Sequence, residues 1–64
     1  MQQGKIKFFN ASKGFGFITE NTSGQDYFVH VTALKGQEVK EGDEVTFELQ
    51  ETSRGLNAID VKLV

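Results

Sequence analysis

Hydrophobic and polar positions alternate with a period of two along most of this chain, and no stretch of useful length keeps a helical period. The cleanest segment is 44–50, with Val45, Phe47 and Leu49 on one face and Glu44, Thr46, Glu48 and Gln50 on the other. Segment 13–20 places Lys13, Phe15 and Phe17 on one side and Gly14, Gly16 and Ile18 on the other; segment 26–31 pairs Phe28 with His30, opposite Tyr27, Val29 and Val31. Segment 5–10 is β-branched and aromatic with a polar exit, and 56–64 carries Ile59, Val61 and Leu63 as an inward stripe, with Asp60 and Lys62 facing water. Strict alternation sends Ile6 and Phe8 to one face and Phe9 to the other, but a bulge would change which phenylalanine enters the core.

Asn10-Ala11-Ser12, the polar loop 21–25 and Thr52-Ser53-Arg54-Gly55 read as the turns between these strands. Residues 32–43, with Gly36 and Gly42 among many charges, read as a loop that tucks Leu34 and Val39 against the core. About five short strands predict an all-β fold, a five-stranded antiparallel barrel for which the OB-fold is the natural candidate at this size. Closure would also remove exposed strand edges. The 64 residues are expected to form one domain spanning 1–64, small enough that its core must be efficient.

Ile6, Ile18, Val29, Val45, Phe47, Leu49, Ile59 and Val61 supply an interior set for such a barrel. Phe15, Phe17 and Phe28 are then left for the outside, although aromatic stripes are more often buried. A hairpin would bring them beside His30 with Lys13 at the edge. Rings on an exposed face, edged by a cation, are a surface on which unpaired nucleic acid bases stack.

The charge pattern bears on that reading in two ways. A formal net charge of -2 and a pI of about 5.2 argue mildly against a phosphate-bearing partner. The charges are segregated, however: Lys5, Lys7 and Lys13 lie early, whereas Glu38, Glu41, Asp43, Glu44, Glu48 and Glu51 crowd the second half. With no Cys and a single His, disulfides, thiolate chemistry and a structural zinc site are not expected, and no metal or other cofactor is called for. The first residues do not form a secretory signal, and no run of about 18 apolar residues could span a membrane, so a cytoplasmic, monomeric protein without a membrane partner is expected.

Catalysis has little support. Ser12, Ser23 and Ser53 share one possible base, His30, with no orienting carboxylate placed by a motif. Gly14-Phe15-Gly16 lacks the third glycine of a dinucleotide fingerprint and precedes no helix. The rival to nucleic acid binding is a protein-interaction barrel whose aromatic patch receives a peptide.

The residues also carry a family resemblance. Lys13-Gly14-Phe15-Gly16-Phe17-Ile18 resembles the first ribonucleoprotein motif of the cold-shock domain, Phe28-Val29-His30 its second, and Lys5-Ile6-Lys7-Phe8-Phe9-Asn10 the family's opening strand. The resemblance extends over essentially the whole chain, including Glu41-Gly42 and Arg54-Gly55. It implies a bacterial cold-shock protein with an OB-type barrel that binds single-stranded RNA and DNA, pyrimidine-rich segments preferred, and acts as an RNA chaperone and cold-stress or growth-related regulator of transcription and translation. Carried over by position, it implies a binding face of Lys7, Phe8, Asn10, Lys13, Phe15, Phe17, Phe28 and His30, with Phe9 partly buried beside it and Asp26 and Arg54 at the margin. The chain departs from the family in having Phe8 where Trp is common, Val31 where a further Phe is common, and Leu56 where Pro follows the Arg-Gly pair. Its 35–43 loop is shorter than usual and has no aromatic residue.

Overall fold

In the computed structural model, which describes residues 2–53 and 55–64, five strands close into a barrel in the order β1-β2-β3-β5-β4. They are β1 Gln2–Asn10, β2 Phe15–Glu20, β3 Asp26–His30, β4 Glu44–Thr52 and β5 Gly55–Leu63. Neighbouring strands pair antiparallel as expected except at one seam: β3 and β5 run parallel, through Phe28 with Asn57 and Val29 with Ala58. A parallel pair needs a long crossover. The chain from His30 through β4 supplies it, and the purely antiparallel expectation is corrected at that seam.

Alternation within each strand fills the interior with Ile6, Ile18, Tyr27, Val29, Val45, Phe47, Ala58 and Val61, all buried. Tyr27 keeps its hydroxyl satisfied by donating to Gln25 Oε1 at 2.8 Å, so its ring packs 6.1 Å from that of Phe47 without stranding a polar atom. The expected 32–43 loop holds a short 3-10 helix, Val31–Leu34, whose Ala33 and Leu34 are buried, and Val39 packs half-buried against the same cluster. Gln37 ties this segment to β5. Its Nε2 donates to the Leu34 and Val61 carbonyls at 2.9 and 2.6 Å, and its Oε1 accepts from the Leu63 amide at 3.1 Å.

Two irregularities decide which side chains face in. Ile6 lies opposite Ile18 but Phe8 lies opposite Phe17, so Lys7 is an extra residue; on its other edge the Ile6 backbone bonds to Gly42 and Asp43, continuing the pairing with β4. The bulge turns Phe8 outward and Phe9 inward. A second register shift falls opposite Phe47, where Asp60 adopts a left-handed φ of 50°. Asp tolerates that conformation better than most residues, and its carboxylate meets Lys35 Nζ at 2.8 Å. Because one extra residue reverses the faces of everything beyond it, the expected Ile59-Val61-Leu63 stripe is broken at Asp60: Ala58 and Val61 are buried and Ile59 is half-buried, while Leu63, the last residue of β5, is exposed at the strand end. Leu49, opposite Ala58, is half-buried and packs against the core on the expected side.

Gly16 lies beneath the Phe9 ring. A Cβ at position 16 would stand 2.4 Å from the Phe8 carbonyl oxygen and 2.6 Å from Phe9 Cδ1. Since the nearest obstacle is backbone, Gly16→Ala is expected to cost about 1–3 kcal/mol by forcing the strands apart. Urea unfolding followed by far-UV circular dichroism measures this; a variant as stable as the parent would mean that β1 and β2 separate without penalty.

Candidate nucleic-acid interface

The bulge in β1 and the registers of the neighbouring strands bring one row of residues across the outside of the barrel. Phe8 pairs with Phe17, Phe17 with Phe28, Phe28 with Asn57 and Asn57 with Gln50. A second row runs from Asn10 through Phe15 to His30, and a third from Lys5 through Thr19 to Asp26. The rings touch one another: Phe8 and Phe17 lie 5.4 Å apart between centroids, Phe17 and Phe28 meet edge to face at 5.9 Å, and Phe15 stacks on Phe28 at 5.8 Å. Phe8 is 40% exposed, while Phe15, Phe17 and Phe28 are half-buried because each ring covers part of its neighbour. Phe9, turned inward, packs against the core beside this face.

Each polar candidate is held by local structure. Lys13 lies outside β2, in the turn after Asn10, because Gly14 takes a φ of 78° and ends the alternation expected from position 13. The Asn10 side-chain oxygen accepts from the Lys13 amide at 3.2 Å and its carbonyl from the Gly14 amide at 2.8 Å, so Asn10 shapes the turn that presents Lys13 to solvent. His30 Nδ1 accepts from the Thr32 amide at 3.3 Å and lies 3.0 Å from the Thr32 hydroxyl, capping the 3-10 helix. The neutral ring then carries its proton on Nε2, the donor left for a ligand. Val31 has left the strand and is 41% exposed rather than inward with Tyr27 and Val29. Arg54 lies outside the described residues.

Lys7 and Asp26 form an ion pair, Nζ to Oδ2 at 2.7 Å, and the Thr19 hydroxyl donates to Asp26 Oδ1 at 2.7 Å. The Lys7 ammonium, and after it the Thr19 hydroxyl, hold the Asp26 carboxyl below the usual carboxylate range. Because the folded pKa is depressed, the pair is intact at neutral pH and is lost only as pH falls through that lowered value, beneath the ordinary carboxylate range. Lys13 has no carboxylate partner among the described residues.

This arrangement agrees with what the chain is similar to. The 'Cold-shock' DNA-binding domain matches residues 2–64. The chain belongs to the cold-shock domain family. Cold shock protein CspD of Bacillus subtilis (strain 168) is 52% identical over 64 residues, a match covering 95% of this chain and 96% of that protein. Cold shock protein CspB of Bacillus caldolyticus is 50% identical over 64 residues with the same coverage. Among solved structures, drosophila Unr CSD456 matches with a TM-score of 0.81 and 29% identity, over 98% of this chain and 26% of that one. The cold-shock domain is a nucleic-acid-binding OB-fold, so the expected fold and family stand. No helix among the described residues is long and apolar enough to cross a membrane.

Sequence reasoning did not single out Thr19, Asn57 or Gln50 for this face. Thr19 was within reach of the strand pairing, since it stands opposite Asp26 in the expected hairpin. Asn57 and Gln50 had no such signal, because their side depends on the bulge at Asp60 and on the parallel seam.

The same substitution should act differently on the two faces of the sheet. Phe47→Ala opens a cavity at a fully buried site and is expected to cost about 3–5 kcal/mol. Phe17→Ala and Phe28→Ala remove half-buried rings and should each cost only about 1 kcal/mol of stability. Urea unfolding of the three variants tests this, and equal losses would make the outer rings part of the core.

Proposed function

We propose that this protein binds single-stranded RNA and DNA by stacking unpaired bases on Phe8, Phe15, Phe17, Phe28 and His30, with Lys7, Asn10 and Lys13 serving the sugar-phosphate backbone. The observation that carries this reading is the run of touching phenyl rings on the outside of a barrel whose interior is already filled by other residues. Rings in that position offer a π-face to any base, and bases can reach them only when unpaired. Binding open strands and not duplexes shifts the equilibrium toward unfolded RNA by mass action, without a nucleotide cofactor. An RNA chaperone of this kind, a cytoplasmic monomer with a preference for pyrimidine-rich strands, would act as a cold-shock or growth-related regulator of transcription and translation. Family membership supports nucleic acid as the partner and does not favour the peptide-binding alternative.

Stacking should dominate the affinity. Lys7 is already paired with Asp26 and Lys35 with Asp60. The slope of log affinity for oligothymidine against log salt is therefore expected at about -1 to -3, at about 0.7 per phosphate on single strands. A slope steeper than about -5 would show that phosphate contacts dominate instead. Phe28→Ala should lose about 1–3 kcal/mol of binding. Asp26→Asn removes a negative charge and releases Lys7, so it should bind more tightly at low salt with a slope steeper by about 0.7; unchanged binding would mean that Lys7 never meets a phosphate.

A further inference from the structure

Beside the aromatic rings, β3 and β5 pair at only two positions before diverging, and a groove of about 300 Å³ opens there. It is lined by His30, by Thr32 and Ala33 of the 3-10 helix, by Lys35, and by Gln50 of β4 and Asn57 of β5. Asn57 sits directly beside Phe28 in register, and Gln50 beside Asn57, so the row of rings continues as a row of amides.

These amides are uncommitted. The Asn10, Gln25 and Gln37 side chains each serve a hydrogen bond within the fold, whereas the Asn57 and Gln50 amides have no partner among the described residues. Both are open to solvent at least in part. Among the described residues the one ammonium at the groove, that of Lys35, is neutralised by Asp60 at 2.8 Å, so the groove favours a neutral polar group over a phosphate. A base edge is such a group. Neighbouring strands lie about 4.8 Å apart, comparable to the reach from the centre of a stacked pyrimidine across its edge to a hydrogen-bonding partner.

We propose that Asn57, seconded by Gln50, hydrogen-bonds the edge of the base stacked on Phe28, so that a ring surface indifferent to sequence gains an edge-reading subsite. This rests on the stacking reading above. An amide offers one acceptor and two donors. The Asn57 oxygen accepts from thymine or uracil N3–H while its NH₂ group donates to the adjacent carbonyl oxygen.

The test compares fluorescein-labelled oligothymidine with the same oligomer built from N3-methylthymidine, which keeps every ring for stacking but has lost the N3–H. The parent is expected to prefer the unmodified strand. Asn57→Ala should lower that preference by about 2- to 10-fold, the worth of one or two hydrogen bonds, weakening the unmodified strand while leaving the methylated one unchanged. Asn57→Gln should retain part of the preference. A parent without preference, or an Asn57→Ala preference equal to the parent's, would overturn the proposal. Urea unfolding checks each variant, and should Asn57→Ala be unfolded, Gln50→Ala carries the test on the same terms. Phe28→Ala separates the two levels: loss of both strands upholds stacking whatever Asn57 does, whereas retention of both would overturn stacking and the edge subsite together.

Discussion

The close approach of Phe9 to Gly16 is the constraint on which the rest of this structure depends. Two adjacent phenylalanines in one strand would normally face opposite ways by default, but which one enters the barrel is set by the bulge at Lys7. Turning Phe9 inward leaves its ring where a side chain from position 16 would stand, and only glycine leaves that space. With Phe9 there, Phe8 is directed outward into register with Phe17, and Phe17 with Phe28. The aromatic face is therefore a consequence of a packing solution inside the barrel. The two glycines flanking Phe15 divide the labour: Gly16 admits a ring, while Gly14 at φ 78° ends the turn in which Lys13 is exposed to solvent.

A second consequence concerns the kind of affinity this surface can have. Electrostatic attraction at long range is weak for a chain with a formal charge of -2. Cations near the face are partly committed, Lys7 to Asp26 and Lys35 to Asp60. Short-range ring contact and hydrogen bonding must supply what phosphate attraction does not. On the proposed reading, the rings of such a surface would hold unpaired bases and disfavour duplexes, whose bases are already stacked.

Much of this was legible in the chain. Period-two alternation marked the strands, and the excess of apolar residues over what a small barrel can bury marked the rings as outward-facing. Leu34 and Val39 were correctly read as tucked against the core, being the large apolar residues in an otherwise charged loop. Ile59 and Leu63 were assigned inward by counting from Val61. Counting fails at Ile59 because Asp60 is inserted between them, and at Leu63 because the strand ends there and its cover with it. Val31 was misassigned because the strand stops at His30, whose side chain caps a 3-10 turn instead.

The sequence by itself determined the fold class, the family and the residue types of the aromatic face, because periodicity and motif are local properties that a linear reading can hold. Only the tertiary structure decided that Phe8 and not Phe9 faces out, that β3 and β5 close the barrel in parallel, that Lys7 spends its charge on Asp26, and that Asn57 and Gln50 extend the ring row. Each of these depends on which strand lies next to which and in what register. A bulge adds one residue without changing composition, and a seam joining residues about 30 positions apart leaves no mark on either segment alone.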